Sequence, residues 1–127
     1  GVRKHSGLMV PAPVQHAMSV ALADTEHVAA QRARYAVRRA LFLGALAAAG
    51  LDVDPDSAAG LYLWVSDPAN PNDSWALVSR FAQLGILVAP GDFYGTAALG
   101  RVRVALTASD ERVEAAAARI RQAWAQR

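Results

Sequence analysis

Arg103 is the residue best placed to do chemistry. It lies within Arg101-Val102-Arg103-Val104-Ala105-Leu106, where apolar and polar residues alternate as in a half-buried strand. The alternation sends Val102, Val104 and Leu106 to a core face and Arg101, Arg103 and Ala105 to the opposite one. The glycine-containing loop Asp92 to Gly100 precedes this strand and leaves space beside it. An arginine in that setting can present its planar fork to a carboxylate through two parallel hydrogen bonds. The same alternation also suits an arginine on a plainly wet face, and spacing alone does not choose between the two.

Other residue types offer less. His5, His16 and His27 follow no metal-ligand spacing. With no cysteine in the chain, thiolate ligands, a cysteine nucleophile and disulfides are excluded, and no metal site is expected. Ser66, Ser74 and Ser79 lack the glycines of a nucleophile elbow. Gly91-Asp92-Phe93-Tyr94-Gly95 has no phosphate-binding lysine and no helix directly after it. Asp52, Asp54 and Asp56 alternate like the start of a calcium loop. Ser57 and Leu63 stand where that loop needs Gly and Glu, so a turn is expected instead. No complete catalytic constellation emerges from the residues themselves.

The elements that would position these groups follow from composition and period. The chain has 127 residues, 54% hydrophobic and 19% charged, enough to bury the core of one domain. No apolar run approaches the roughly 18 residues of a membrane-spanning helix, and the start lacks a signal-peptide pattern; a cytoplasmic protein is expected. Lys4 is the sole lysine against twelve arginines. Arg32, Arg34, Arg38 and Arg39 cluster, but the rest are scattered rather than gathered in a stripe, so neither nucleic acid nor membrane is an expected partner. The cluster reads as the solvated or interface-facing side of a helix.

Pro11 and Pro13 point to an extended segment over Gly7 to Pro13, then a short helix from about Val14 to Leu22. Asp24 suits the N-terminus of a long helix whose face repeats Val28, Tyr35, Phe42 and Ala49, with Gly50 as its stop. Leu51 to Ser57 is turn-rich, and Leu61 to Val65 is a strand. Asn72 or Asp73 caps a helix bearing Trp75, Val78 and Phe81, which ends at Gly85. Ile86 to Ala89 is a short buried strand, Arg101 to Leu106 another. Ser109 opens a last helix with the stripe Val113, Ala117, Ile120 and Trp124. The expected fold is α+β, a sheet of about three strands covered by helices in the order α-α-β-α-β-β-α.

Three stretches carry a family resemblance: Gly60-Leu61-Tyr62-Leu63-Trp64-Val65; Phe81 through Gly95, read FAQLGILVAPGDFYG; and Arg101-Val102-Arg103-Val104-Ala105-Leu106-Thr107. Together they resemble the C-terminal part of class I/II aminotransferases, enzymes of fold type I that use pyridoxal 5′-phosphate. The opening His5 to Gln15 is similar to the stretch after that family's Schiff-base lysine. Within the family the nearest likeness is to succinyldiaminopimelate aminotransferases of lysine and diaminopimelate biosynthesis, which exchange an amino group with glutamate and 2-oxoglutarate.

The resemblance implies that residues 1–24 form an interdomain and dimer-face segment and 25–127 a small domain that closes over a cleft. It implies a homodimer, an amino-acid or 2-oxo-acid substrate, and Arg103 as the group that holds the substrate α-carboxylate. Gly91 to Gly95 would be the loop that permits closure. The family's lysine motif has no counterpart here, because Lys4 falls downstream of it. No catalytic residue is therefore expected in this chain, its cofactor-binding residues are unknown, and it is expected to be a fragment, inactive alone. The competing reading is a freestanding small α+β module whose Arg103 face binds an acidic ligand or a protein.

Overall fold

Proline at the second position of a helix forfeits no hydrogen bond, because the first amides have no intrahelical acceptor. Pro13 uses that freedom. The computed structural model, which describes residues 1–124, starts helix α2 (Ala12–Ala23) at Pro11 rather than after an extended Gly7 to Pro13. Before it stands a single helical turn, α1 (Val2–His5), also unexpected from the sequence. These elements and the start of α3 (Glu26–Ala48) make up one compact unit, Gly1–Arg34. Every residue in this unit is exposed, including Leu8, Met9, Val10 and Met18 around a shallow groove. The Asp24 carboxylate accepts from the Glu26 and His27 amides, at 3.0 and 3.5 Å, where α3 begins.

A second compact unit runs from Tyr35 onward. Only the C-terminal half of the heptad face on α3 is buried there: Phe42 and Ala49 are buried and Tyr35 partly so, whereas Val28 is exposed. Gly50 ends the helix in the left-handed region, at φ +66°. The sheet has four antiparallel strands in the order β1-β2-β4-β3. These are β1 (Asp52–Val53), β2 (Tyr62–Ser66), β3 (Ala89–Pro90) and β4 (Arg101–Ala105). Its apolar face sets Leu63, Val65, Val102 and Val104 against Leu46, Leu77, Phe81, Val113, Ala117 and Ile120 from the helices.

Helix α4 (Ser74–Gln83) is capped by Asp73, which accepts from the Ala76 amide at 2.8 Å. It turns Leu77 and Phe81 inward, not Trp75, which is exposed. Helix α5 (Asp110–Trp124) buries Val113, Ala116, Ala117 and Ile120. Three local expectations are corrected. The turn at Leu51 to Ser57 begins only after β1, because Asp52 and Val53 pair with Ser66 and Val65. The strand expected over Ile86 to Ala89 shrinks to Ala89–Pro90, and Leu87 is 93% exposed. Pro90 is tolerated because β3 is an edge strand. Finally, the arginines of α3 do not all face solvent. Arg38 is buried, donating to Asp110 at 2.5 Å and to the Leu106 carbonyl at 3.0 Å, and Arg39 donates to the carbonyls of Ser57 and Gly60.

Candidate functional site

The open face of the sheet is set by the β2–β4 register. Tyr62 lies opposite Ala105, Trp64 opposite Arg103, and Ser66 opposite Arg101. On the other flank Ala89 of β3 pairs with Arg103, and its short side chain leaves that side uncrowded. Arg103 thus stands mid-sheet on its wet face, as the alternation of the strand requires.

The two arginines of β4 have different surroundings. Arg101 is ion-paired to Asp54, in the turn after β1. The Arg101 guanidinium and then the Asp56 amide, which donates at 3.0 Å, hold the Asp54 carboxyl below its ordinary range. Arg103 has no such acid among the described residues. Its Cζ lies 4.2 Å from the centre of the Tyr62 ring and 5.2 Å from that of Tyr94. Tyr94 in turn meets Trp64 edge to face, ring centres 5.2 Å apart at 90°. The Arg103 Nε is buried with no hydrogen-bond partner among the described residues. A buried N–H without an acceptor is costly, of order 1–3 kcal/mol. A carboxylate arriving from solvent would meet the terminal N–H groups of the guanidinium, which offer two parallel donors.

The loop that delivers Tyr94 is pinned at both ends by close backbone approach. A Cβ on Gly91 would lie 1.8 Å from the Ala98 carbonyl oxygen, and one on Gly100 would lie 1.7 Å from that of Pro71. Between these pins the chain makes two 3-10 turns, Gly91–Tyr94 and Thr96–Ala98. Trp75 donates its Nε1 hydrogen to Asp92 at 3.2 Å, which ties α4 to the first of them.

A hollow of about 380 Å³ adjoins this face, lined by Tyr62 and Trp64 with Asp54, Asp56, Ser57 and Gly60. Another of about 390 Å³ lies among Phe42, Ile86, Leu87, Val104, Val113 and Arg119; Arg103 does not line it.

The remaining sequence candidates do not join Arg103. His5 and His16 lie on α1 and α2, and His27 faces Asp24 at 3.1 Å on α3. Ser74 Oγ is buried without a hydrogen-bond partner among the described residues, in the first turn of α4. Two residues escaped the sequence reading: Tyr62 and Tyr94. A period-2 pattern places Tyr62 on one face of its strand, but only the β2–β4 pairing brings that face beside Arg103.

A small antiparallel sheet backed by helices is an architecture with known counterparts. The chain belongs to the aminotransferase class I and II family, whose model matches residues 3–120. It is 57% identical over 121 residues to the probable aminotransferase Rv1178 of Mycobacterium tuberculosis, covering 94% of this chain and 28% of that protein. It is 53% identical over 119 residues to the 4-dedimethylamino-4-oxo-anhydrotetracycline transaminase OxyQ of Streptomyces rimosus, covering 94% of this chain and 32% of that one. Among solved structures, the L,L-diaminopimelate aminotransferase of Chlamydomonas reinhardtii matches with a TM-score of 0.61 at 27% identity, over 71% of this chain and 22% of that one. The chain therefore spans about a third or less of each.

Aminotransferases of this family use pyridoxal 5′-phosphate. The residues present here do not fit it. Lys4, the one lysine, is exposed on the four-residue α1, and the groove of its unit is lined mainly by Leu8, Met9, Val10, Met18 and Leu22.

Proposed function

We propose that this chain is the C-terminal small domain of a pyridoxal-phosphate-dependent aminotransferase, with Arg103 holding the substrate α-carboxylate. The observation that carries the proposal is the Arg103 guanidinium on the open face of the sheet, set against the Tyr62 and Tyr94 rings and without a hydrogen-bonded acid among the described residues. The chain's share of the reaction is binding and orientation. A fork that grips the carboxylate fixes the amino or oxo carbon beside it, and the Tyr62 and Tyr94 rings flank the contact. In this assignment residues 1–24 form an interdomain and dimer-face segment and residues 25–127 the small domain. The exposed apolar side chains Leu8, Met9 and Met18 support a homodimer, and the enzyme works in the cytoplasm. Its substrate is succinyldiaminopimelate, with glutamate and 2-oxoglutarate as the exchanging pair; the likeness to a diaminopimelate aminotransferase supports this class.

The test uses the full-length aminotransferase that carries this chain. Wild-type enzyme should strongly prefer an amino acid over the same amine lacking its α-carboxylate. Arg103→Met should remove most of that preference. Retention of the preference would overturn the assignment of Arg103. The substrate is tested separately: turnover of succinyldiaminopimelate should exceed that of unsuccinylated diaminopimelate by about ten-fold or more in kcat/KM. The reverse order would replace the succinylated substrate with the free one.

A further inference from the structure

We infer that Tyr62 and Tyr94 are positioning residues that fix the Arg103 fork without occupying its hydrogen-bonding edge. The inference rests on the Arg103 reading and deepens it. Arginine is a long side chain that keeps much rotamer freedom unless something holds it. Oxygen acceptors hold the comparable arginines of this unit: Asp110 and the Leu106 carbonyl for Arg38, two carbonyls for Arg39, and Asp54 for Arg101. Arg103 has none of these, yet its Nε is buried. The Tyr62 and Tyr94 rings are what lie against it, 4.2 and 5.2 Å from Cζ.

An aromatic ring attracts a guanidinium electrostatically. In such an arrangement the terminal N–H groups remain available to another acceptor. An acid in the same place would hold the fork equally well but fill the position a ligand carboxylate must take. The two rings therefore pre-organise the arginine and leave it able to bind, which lowers the ordering cost on association. The two are anchored differently. Tyr62 stands on β2, next to the residue paired with Val104, so the sheet fixes it. Tyr94 is held by its edge contact with Trp64 and by the loop between Gly91 and Gly100, so it links the loop's conformation to the arginine.

The test reads the arginine directly. In the 127-residue chain, the Arg103 Nε–Hε signal in an NMR spectrum, identified by its loss in Arg103→Lys, should show ring-current displacement and a rigid order parameter. Tyr62→Leu should move it toward the position of a free arginine and lower the order parameter below about 0.6. Tyr62→Phe, which keeps the ring, should restore the wild-type signal. Should Tyr62→Leu fail to fold, Tyr94→Leu gives the same reading. In the full-length enzyme, Tyr62→Leu should raise KM for the amino acid about ten-fold with kcat within about two-fold, and Tyr62→Phe should rescue it. An Arg103 signal unchanged in both leucine variants would overturn the positioning role. An unchanged KM in Arg103→Lys would overturn the carboxylate reading instead, and the NMR result would still decide whether the tyrosines fix the arginine.

Discussion

Arg38 and Arg39 on α3 and Arg101 and Arg103 on β4 are two arginine pairs with opposite visibility in the sequence. The first belongs to a dense basic cluster, the second to an ordinary-looking strand. In the fold, both members of the helical pair are tied to oxygen atoms and act as struts. Arg38 joins α3 to α5 and to the chain after β4, and Arg39 closes the turn before β2. On β4 Arg101 is tied to Asp54, and Arg103 has no such oxygen partner among the described residues. Charge density along the chain therefore says little about which cation is free to bind. What matters is whether the guanidinium edges already have acceptors, and that is a property of pairing across the fold.

The largest effect expected from this contrast is on catalysis. In the full-length aminotransferase, Arg103→Lys should lower kcat/KM by roughly one to three powers of ten, equivalent to about 1.4 to 4 kcal/mol. Lysine keeps the charge but not the fork, so the loss measures bidentate recognition. Arg101→Lys should change kcat/KM by no more than about three-fold, because that side chain already faces Asp54. Neither change touches the valine face, so both proteins should fold. Equal losses at the two positions would break the contrast.

The helical pair should respond in stability rather than kinetics. Arg38→Met removes two donors and leaves the Leu106 carbonyl without its guanidinium partner. A loss of about 1–3 kcal/mol is expected in urea unfolding, read as a lower midpoint with an unchanged slope. Folded Arg38→Met enzyme should keep its substrate affinity. A KM change as large as that of Arg103→Lys would show that α3 contributes to the binding face after all.

Much of the frame was readable because it is local. Asp24 and Asp73 as helix starters, Gly50 as a stop, and the two faces of β4 follow from side chains acting within a few residues. What was not readable depends on partners far along the chain. Asp52 and Val53 become a strand only because Val65 and Ser66 are beside them. Arg38 is buried because Asp110 and Leu106 come to it from more than sixty residues away. Leu77 rather than Trp75 faces the core, one turn before Phe81 on the same face of α4, and Trp75 instead bonds Asp92. The site divides in the same way. Arg103 was legible as a candidate from alternation and from the family resemblance. Its aromatic frame was not, since Tyr62 and Tyr94 reach it through strand pairing and a loop.

The smallest effect concerns the tied member of the β4 pair, and its sign follows from linkage. Asp54 has a lowered carboxyl pKa in the folded chain, chiefly through its hydrogen bond from Arg101 and then through the Asp56 amide. In the unfolded chain it titrates near its ordinary value of 3.8. A depressed folded pKa means that the unfolded state binds the proton more readily. Its stabilising contribution is then fully present above the unfolded value and is lost as pH falls through the folded one. Both groups are partly solvent-exposed, so the contribution is modest and salt should weaken it. Thermal melts of wild type and Asp54→Asn should differ by a constant amount from pH 7 to pH 5. Below about pH 4 the two curves should converge. Arg101→Met should show the same convergence, since it removes the other half of the pair. A difference that persists undiminished at pH 2 would mean that Asp54 acts through its turn geometry and not through the ion pair. Arg101 would then be as free as Arg103, and the contrast between the two arginines would have to rest on the aromatic rings alone.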